Sequence, residues 1–281
     1  MMDAGPAAAG PAFLFAGRNA PIEDCCCRPR AMEFSAEIAV LLFFVAMLAG
    51  IVDAIAGGGG LIVIPALLAA GLPPEAAIAT NKIGGIGGST AATLHFLRTR
   101  QIDLHRSRWM ALGAFVGSLM GGIVLTQIDS SVLSRLIPVL LIGFALYFLL
   151  SPRVGAEDRK ARIPVATYAL VAAPLIGFYD GFFGPGTGTF LAISLVTLLG
   201  FNLVKATAHT KLLNLCSNIA SVLFFSLNGN ILWAFGLPLL AGQWIGGTIG
   251  ARLVVSHGHR LIKIVMSVVA IAISAKMIWS A

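Results

Sequence analysis

The chain has 281 residues, of which 58% are hydrophobic and only 11% charged, with a mean hydropathy of +0.91 and a net charge of +7. Soluble domains carry about 25% charged residues, so a soluble fold is excluded. The basic excess sits in short loops between apolar runs, which excludes a nucleic-acid-binding face and leaves no segment for a separate catalytic domain.

Residues 1–33 read as a disordered tail rich in Ala, Gly and Pro. The tail has no apolar core beside a basic start, so it is not expected to act as a signal peptide. Met32 stands just before the first apolar run and reads as an alternative start. Cys25, Cys26, Cys27 and Cys216 form no CxxC pair and no disulfide framework. No metal and no cofactor are expected.

Crossing a bilayer takes about 20 apolar residues in a helix. Apolar runs lie at about 36–55, 60–71, 76–98, 106–127, 131–150, 164–183, 187–200, 203–227, 231–255 and 260–279. The two short runs, 60–71 and 187–200, each follow a glycine-rich interruption. The first interruption runs from Gly50 through Asp53 to Gly57, Gly58, Gly59 and Gly60; the second runs from Gly177 through Asp180 to Gly184, Gly186, Thr187 and Gly188. Lipid cannot satisfy the backbone dipoles of a broken helix, so such a break survives only inside protein or along a cavity. A matched pair of breaks points to a transporter's binding site.

The halves repeat. Asp180 follows Asp53 at an offset of 127, and Lys211, Gly242, Gly246 and Gly250 follow Lys82, Gly113, Gly117 and Gly121 at 129. The expected fold is an all-α polytopic membrane protein of two homologous repeats, about four helices each, with the first helix of each broken at the glycine-rich motif. The repeats span 34–150 and 164–281, joined by a cytoplasmic linker at 151–163. The two rows of three glycines each mark one helix face, which suits close packing within the subunit before a homodimer interface.

Lys and Arg divide 12 against 5 across the membrane if each interruption is crossed once. They divide 12 against 5 again if each interruption is a hairpin and the repeats are inverted. Both arrangements place loops 98–108 and 153–162 in the cytoplasm, and charge alone does not choose between them.

Asp53, Lys82, Asp180 and Lys211 are ionisable groups within apolar runs, where such groups are costly and mark function. They serve either substrate or proton handling, or ion pairs that fasten helices. Helices restarting after Gly60 and Gly186 offer backbone N–H groups to an anion. Gly57–Gly60 and Gly184–Gly188 let backbone approach it. Thr187, Thr189, Asn81, Asn214 and Asn218 complete a polar lining for a small oxyanion. His209 is a proton relay or a simple backbone hydrogen bond. His257 and His259 make no metal site without further ligands, and His95 and His105 lie near the membrane surface.

The stretches 53–60, Thr80-Asn81-Lys82, 177–188 and 206–214 resemble the TauE/SafE sulfite exporter family of bacterial membrane proteins, over roughly residues 35–280. The resemblance implies a multi-pass inner-membrane transporter of sulfur-containing anions such as sulfite or organosulfonates. An exporter coupled to protons is the leading expectation and an anion channel the second. An intramembrane enzyme is a different class. Ser89, Ser217 and His209 lack any surrounding motif for it, and an Asp53–Asp180 pair would leave the lysines without a role. The chain is read as a non-enzyme whose partners are a small anion and the bilayer.

Overall fold

The computed structural model describes residues 35–129, 131–133 and 158–280, with side chains through 258. The tail with its Cys triplet, most of the run at 131–150, most of the linker and the side chain of His259 lie outside the described residues. The rest is helical: α1 Ala36–Ala56, α2 Gly60–Ala69, α3 Pro74–Arg98, α4 Leu104–Thr126, α5 Val165–Phe182, α6 Thr187–Leu199, α7 Leu203–Leu227 and α8 Trp233–Ser280, the last broken at Gly258, where φ is +61°. Four of them, α1, α4, α5 and α7, are long and apolar enough to cross a membrane.

Local signals set the ends. Ser35, Asp103 and Asn202 accept hydrogen bonds from the N–H groups of Ile38, Arg106 and Lys205, capping α1, α4 and α7. α1 stops at Gly57, whose φ of +81° favours glycine and whose N–H donates to the Asp53 carbonyl. α6 begins after Gly186, at φ +83°. Within α5 one π-turn spans Tyr168–Ala172, just before Pro174, which has no N–H to donate.

The molecule is apolar outside and polar within. α1 turns Val40, Leu41, Phe44 and Leu48 outward and buries Ala46, Ala49, Gly50 and Asp53. This pattern suits a surface that meets lipid rather than water.

The repeats interleave. α1 packs along α8, and α5 along α4, as the most extensive contacts of each. Gly242, Gly246 and Gly250 face the carbonyls of Phe43, Met47 and Ile51. Gly113, Gly117 and Gly121 face those of Ala169, Pro174 and Phe178, the longer step from Ala169 to Pro174 spanning the π-turn. A Cβ at any of these six would meet backbone or a side chain of the neighbouring helix, so both glycine rows are spent on packing within the chain.

α3 and α7 run antiparallel across the centre. At one end Glu75 accepts from Asn230, and Thr80 Oγ1 accepts from the Leu232 N–H at 3.2 Å. At the other, His209 Nε2 accepts from the Asp103 N–H at 3.3 Å. Thr80 with Leu232 and His209 with Asp103 are one contact made twice, each partner displaced by the repeat offset of 129. The interruptions turn back: Arg159 and Arg162, ahead of α5, donate to the carbonyls of Gly200 and Leu198 at the end of α6. Ile38, at the start of α1, packs in one cluster with Leu67 of α2. The inverted arrangement is therefore the one adopted, which the charge count left open.

Inversion gathers Arg98, Arg100, Arg106, Arg108, Arg159, Lys160, Arg162, Lys205 and Arg252 at one end. The opposite end carries Glu37, Glu75 and Asp129, and no Lys or Arg among the residues described with side chains. The basic end faces the cytoplasm by the positive-inside rule. In a background without native cysteines, Asn228→Cys is expected to react with a membrane-impermeant maleimide on intact cells. Arg100→Cys should react only after the membrane is opened. The reverse pattern would invert the orientation.

Candidate functional site

The lysines lie eight residues after the starts of α3 and α7, about 12 Å along each helix. Because those helices run in opposite directions through a hydrocarbon layer about 30 Å thick, both lysines come near its middle. There lies a cavity of about 30 Å³ lined by Asp53, Gly57, Gly60, Asn81, Lys82, Gly85, Asp180, Gly184, Gly188, Asn214, Asn218 and Gln243.

Each lysine pairs with the acid of the other repeat. Lys82 Nζ lies 3.0 Å from Asp180 Oδ1 and also donates to the Asp180 carbonyl. Lys211 Nζ lies 2.8 Å from Asp53 Oδ2. The second carboxylate oxygen of each acid is met differently: Ser217 donates its hydroxyl to Asp180 Oδ2, and the Gly59 N–H donates to Asp53 Oδ1 at 3.2 Å. All four charged groups are buried and sum to zero. Removing one partner would leave a buried charge uncompensated, at a cost of about 3–5 kcal/mol.

The glycines make room for these pairs. A Cβ on Gly184 would stand 2.7 Å from Lys82 Nζ, and one on Gly59 would stand 2.7 Å from the Asp53 Cβ. The two interruptions also touch each other: Gly57 abuts the backbone of Gly188, and Thr189 Oγ1 donates to the Ala56 carbonyl.

Of the residues singled out from sequence, Gly57, Gly60, Asn81, Lys82, Gly184, Gly188, Asn214, Asp53 and Asp180 line the cavity, and Asn218 joins them. Lys211 lies behind Asp53. Gly186 caps α6, Gly58 accepts from the Leu61 N–H, and Thr187 Oγ1 donates to the Gly184 carbonyl. The restarting helices offer fewer free donors than expected. The N–H groups of Leu61, Ile62, Thr187 and Thr189 bond to the carbonyls of Gly58, Gly59, Gly184 and Gly186, because the turn ahead of each helix folds back under it. His209 lies outside the cavity lining; its Nδ1 meets the Lys205 carbonyl at 2.7 Å and its Nε2 the Asp103 N–H. Gly85 and Gln243 line the cavity without having been expected. The signal for Gln243 was an amide within the otherwise apolar run at 231–255.

Comparison with known proteins decides the family. The pattern of the sulfite exporter TauE/SafE family matches residues 42–277. The chain belongs to the TauE/SafE family. Its relatives include the probable membrane transporter protein YfcA of Escherichia coli K12, 48% identical over 85% of this chain and 89% of that one. A probable membrane transporter protein of Haemophilus influenzae is 43% identical over 88% and 97%. The Bacillus subtilis protein YunE, also a probable membrane transporter, is 23% identical over 85% and 97%. No solved structure matches the chain. As a TauE/SafE member, the protein is a multi-pass inner-membrane transporter and not an enzyme. Among the described residues no group of His, Cys, Asp and Glu is arranged to hold a metal ion.

Proposed function

We propose that the protein is a secondary transporter that carries a small anion, a sulfur oxyanion such as sulfite or an organosulfonate, outward through the central cavity. The observation that carries this reading is the crossed pair of ion pairs, Lys82–Asp180 and Lys211–Asp53, beside the cavity where the glycine-rich interruptions meet. Each interruption is read as a discontinuity in a helical hairpin that contributes half of the site. A site of zero net charge does not draw an anion by charge alone. The anion must compete with a carboxylate for its lysine, and a proton taken up by that carboxylate removes the competitor. Proton and anion then load together.

The test is flux from purified protein in liposomes. Uptake of sulfite and of a permanently ionised sulfonate is expected to saturate, and to accelerate when the loading side is made acidic. The sulfonate excludes passage of a neutral acid through the lipid. Saturable flux that ignores the pH gradient would remove the proton from this scheme. No flux of any sulfur oxyanion or sulfonate from folded protein would overturn the substrate class.

A further inference from the structure

We infer that Gln243 is a specificity-determining contact for the transported anion, supplying a neutral hydrogen-bond donor to an oxygen that the lysines do not hold. This rests on the reading that the central cavity is the transport site.

Gln243 belongs to α8, is 3% exposed and lines the cavity. Its side-chain amide meets no hydrogen-bond partner among the described residues. A buried amide left in this way destabilises the fold unless something in the cavity meets it. Every ionisable group on the cavity wall is already engaged: Lys82 with Asp180, and Asp53 with Lys211 and the Gly59 N–H. Gln243 and Asn81, whose amide likewise meets no hydrogen-bond partner among the described residues, are the polar groups held ready for a ligand instead of for the protein.

Packing fixes where that amide points. It lies over the glycines of α3, where a Cβ on Gly84 would stand 2.6 Å from Gln243 Nε2 and one on Gly88 would stand 3.1 Å from Oε1. Any larger residue at Gly84 would push the amide away, so the helix is shaped around it. The neighbouring Asn218 fills the same role against Gly85, but it donates to Asn214 Oδ1 at 3.3 Å.

Gln243 also breaks the repeat. The residue 129 positions earlier is Ala114, which packs against Gly177 of α5 in the apolar core. The amide therefore stands on one side of the site, as do Asn81, Asn214 and Asn218, whose counterparts are Thr210, Gly85 and Ser89. An anion with several oxygens gains from this: one oxygen goes to an ammonium and another to the amide. A halide is a single centre and uses both only where the two donors converge on it, whereas an oxyanion meets each with a separate oxygen. Gln243 thus favours oxyanions over chloride.

The test is Gln243→Met, close in volume and without a strong donor or acceptor, assayed for sulfite uptake in liposomes with chloride as competitor. Loss of a hydrogen bond to a charged group predicts that KM for sulfite rises about 10- to 100-fold, with kcat little changed. Chloride should compete more strongly than in wild type. The thermal midpoint should hold or rise, because a buried polar group has been removed. An unchanged KM and unchanged chloride competition, with wild type active, would overturn this inference alone. A lowered thermal midpoint with unchanged KM would make Gln243 a packing residue and overturn it equally. Wild-type protein that carries no anion would overturn the transport reading, and this inference with it.

Discussion

Lys82→Met is expected to abolish transport and to lower stability, and adding Asp180→Asn is expected to restore the fold without restoring transport. The single change strands the Asp180 carboxylate, which would keep only the Ser217 hydroxyl, in a buried site. Breaking such a pair costs about 3–5 kcal/mol, whereas replacing both partners with neutral groups is often close to neutral. Transport should fall at least about 100-fold in both variants, because the ammonium is gone from both. Thermal unfolding in detergent and flux in liposomes separate the two effects. Full flux in the double variant would reduce the pair to a fastener between helices. Lys82→Arg should not rescue, because a planar guanidinium is bulkier than an ammonium. The space beside Lys82 Nζ exists only because Gly184 has no Cβ.

Gly57→Ala and Gly188→Ala are expected to inactivate the protein from opposite sides of one contact. At Gly57 the added Cβ would overlap the backbone of Gly188 and Thr189, and the left-handed φ of +81° would cost a further ~1–2 kcal/mol. At Gly188 the added Cβ would meet the Gly57 Cα at 2.5 Å, with no left-handed φ involved. Backbone cannot swing aside as a side chain can, so both variants should force the interruptions apart by some tenths of an ångström. The expected result is flux below about a tenth of wild type in each, since small displacements of site groups cost heavily, and a lower thermal midpoint for Gly57→Ala than for Gly188→Ala. Wild-type flux in Gly188→Ala would show that the contact is not needed for transport.

Much of this could be read from residues in order. Run lengths and glycines placed helix ends within a few residues, as with 203–227 against Leu203–Leu227. The four charges in apolar runs marked the centre, because a charge in hydrocarbon requires a reason. Their pairing was not legible. Lys82 meets Asp180, 98 residues away, and not the nearer Asp53, and only the interleaving of repeats brings that about. Topology was hidden for a different reason: loop charges divide 12 against 5 under both arrangements, and the contacts of Thr80 and His209 were needed to choose. Gln243 was not legible because, unlike Asn81, Asn214 and Asn218, it stands far in sequence from both lysines and both glycine-rich interruptions. The donors expected at the restarting helices were partly spent, because sequence does not show a turn folding back on its own carbonyls.

The crossed pairing has a consequence in time. Asp53 and Lys211 are 158 residues apart, so the acid leaves the ribosome long before its partner exists. At about 5–20 residues per second, the delay is on the order of ten to thirty seconds. Through that interval α1 waits in the membrane without α8 along its inner face and without a cation for its carboxylate. A lone acid in hydrocarbon is costly, so Asp53 must be sheltered through that interval. The last charge pair of this protein therefore closes late, when α7 arrives and brings Lys211 to Asp53.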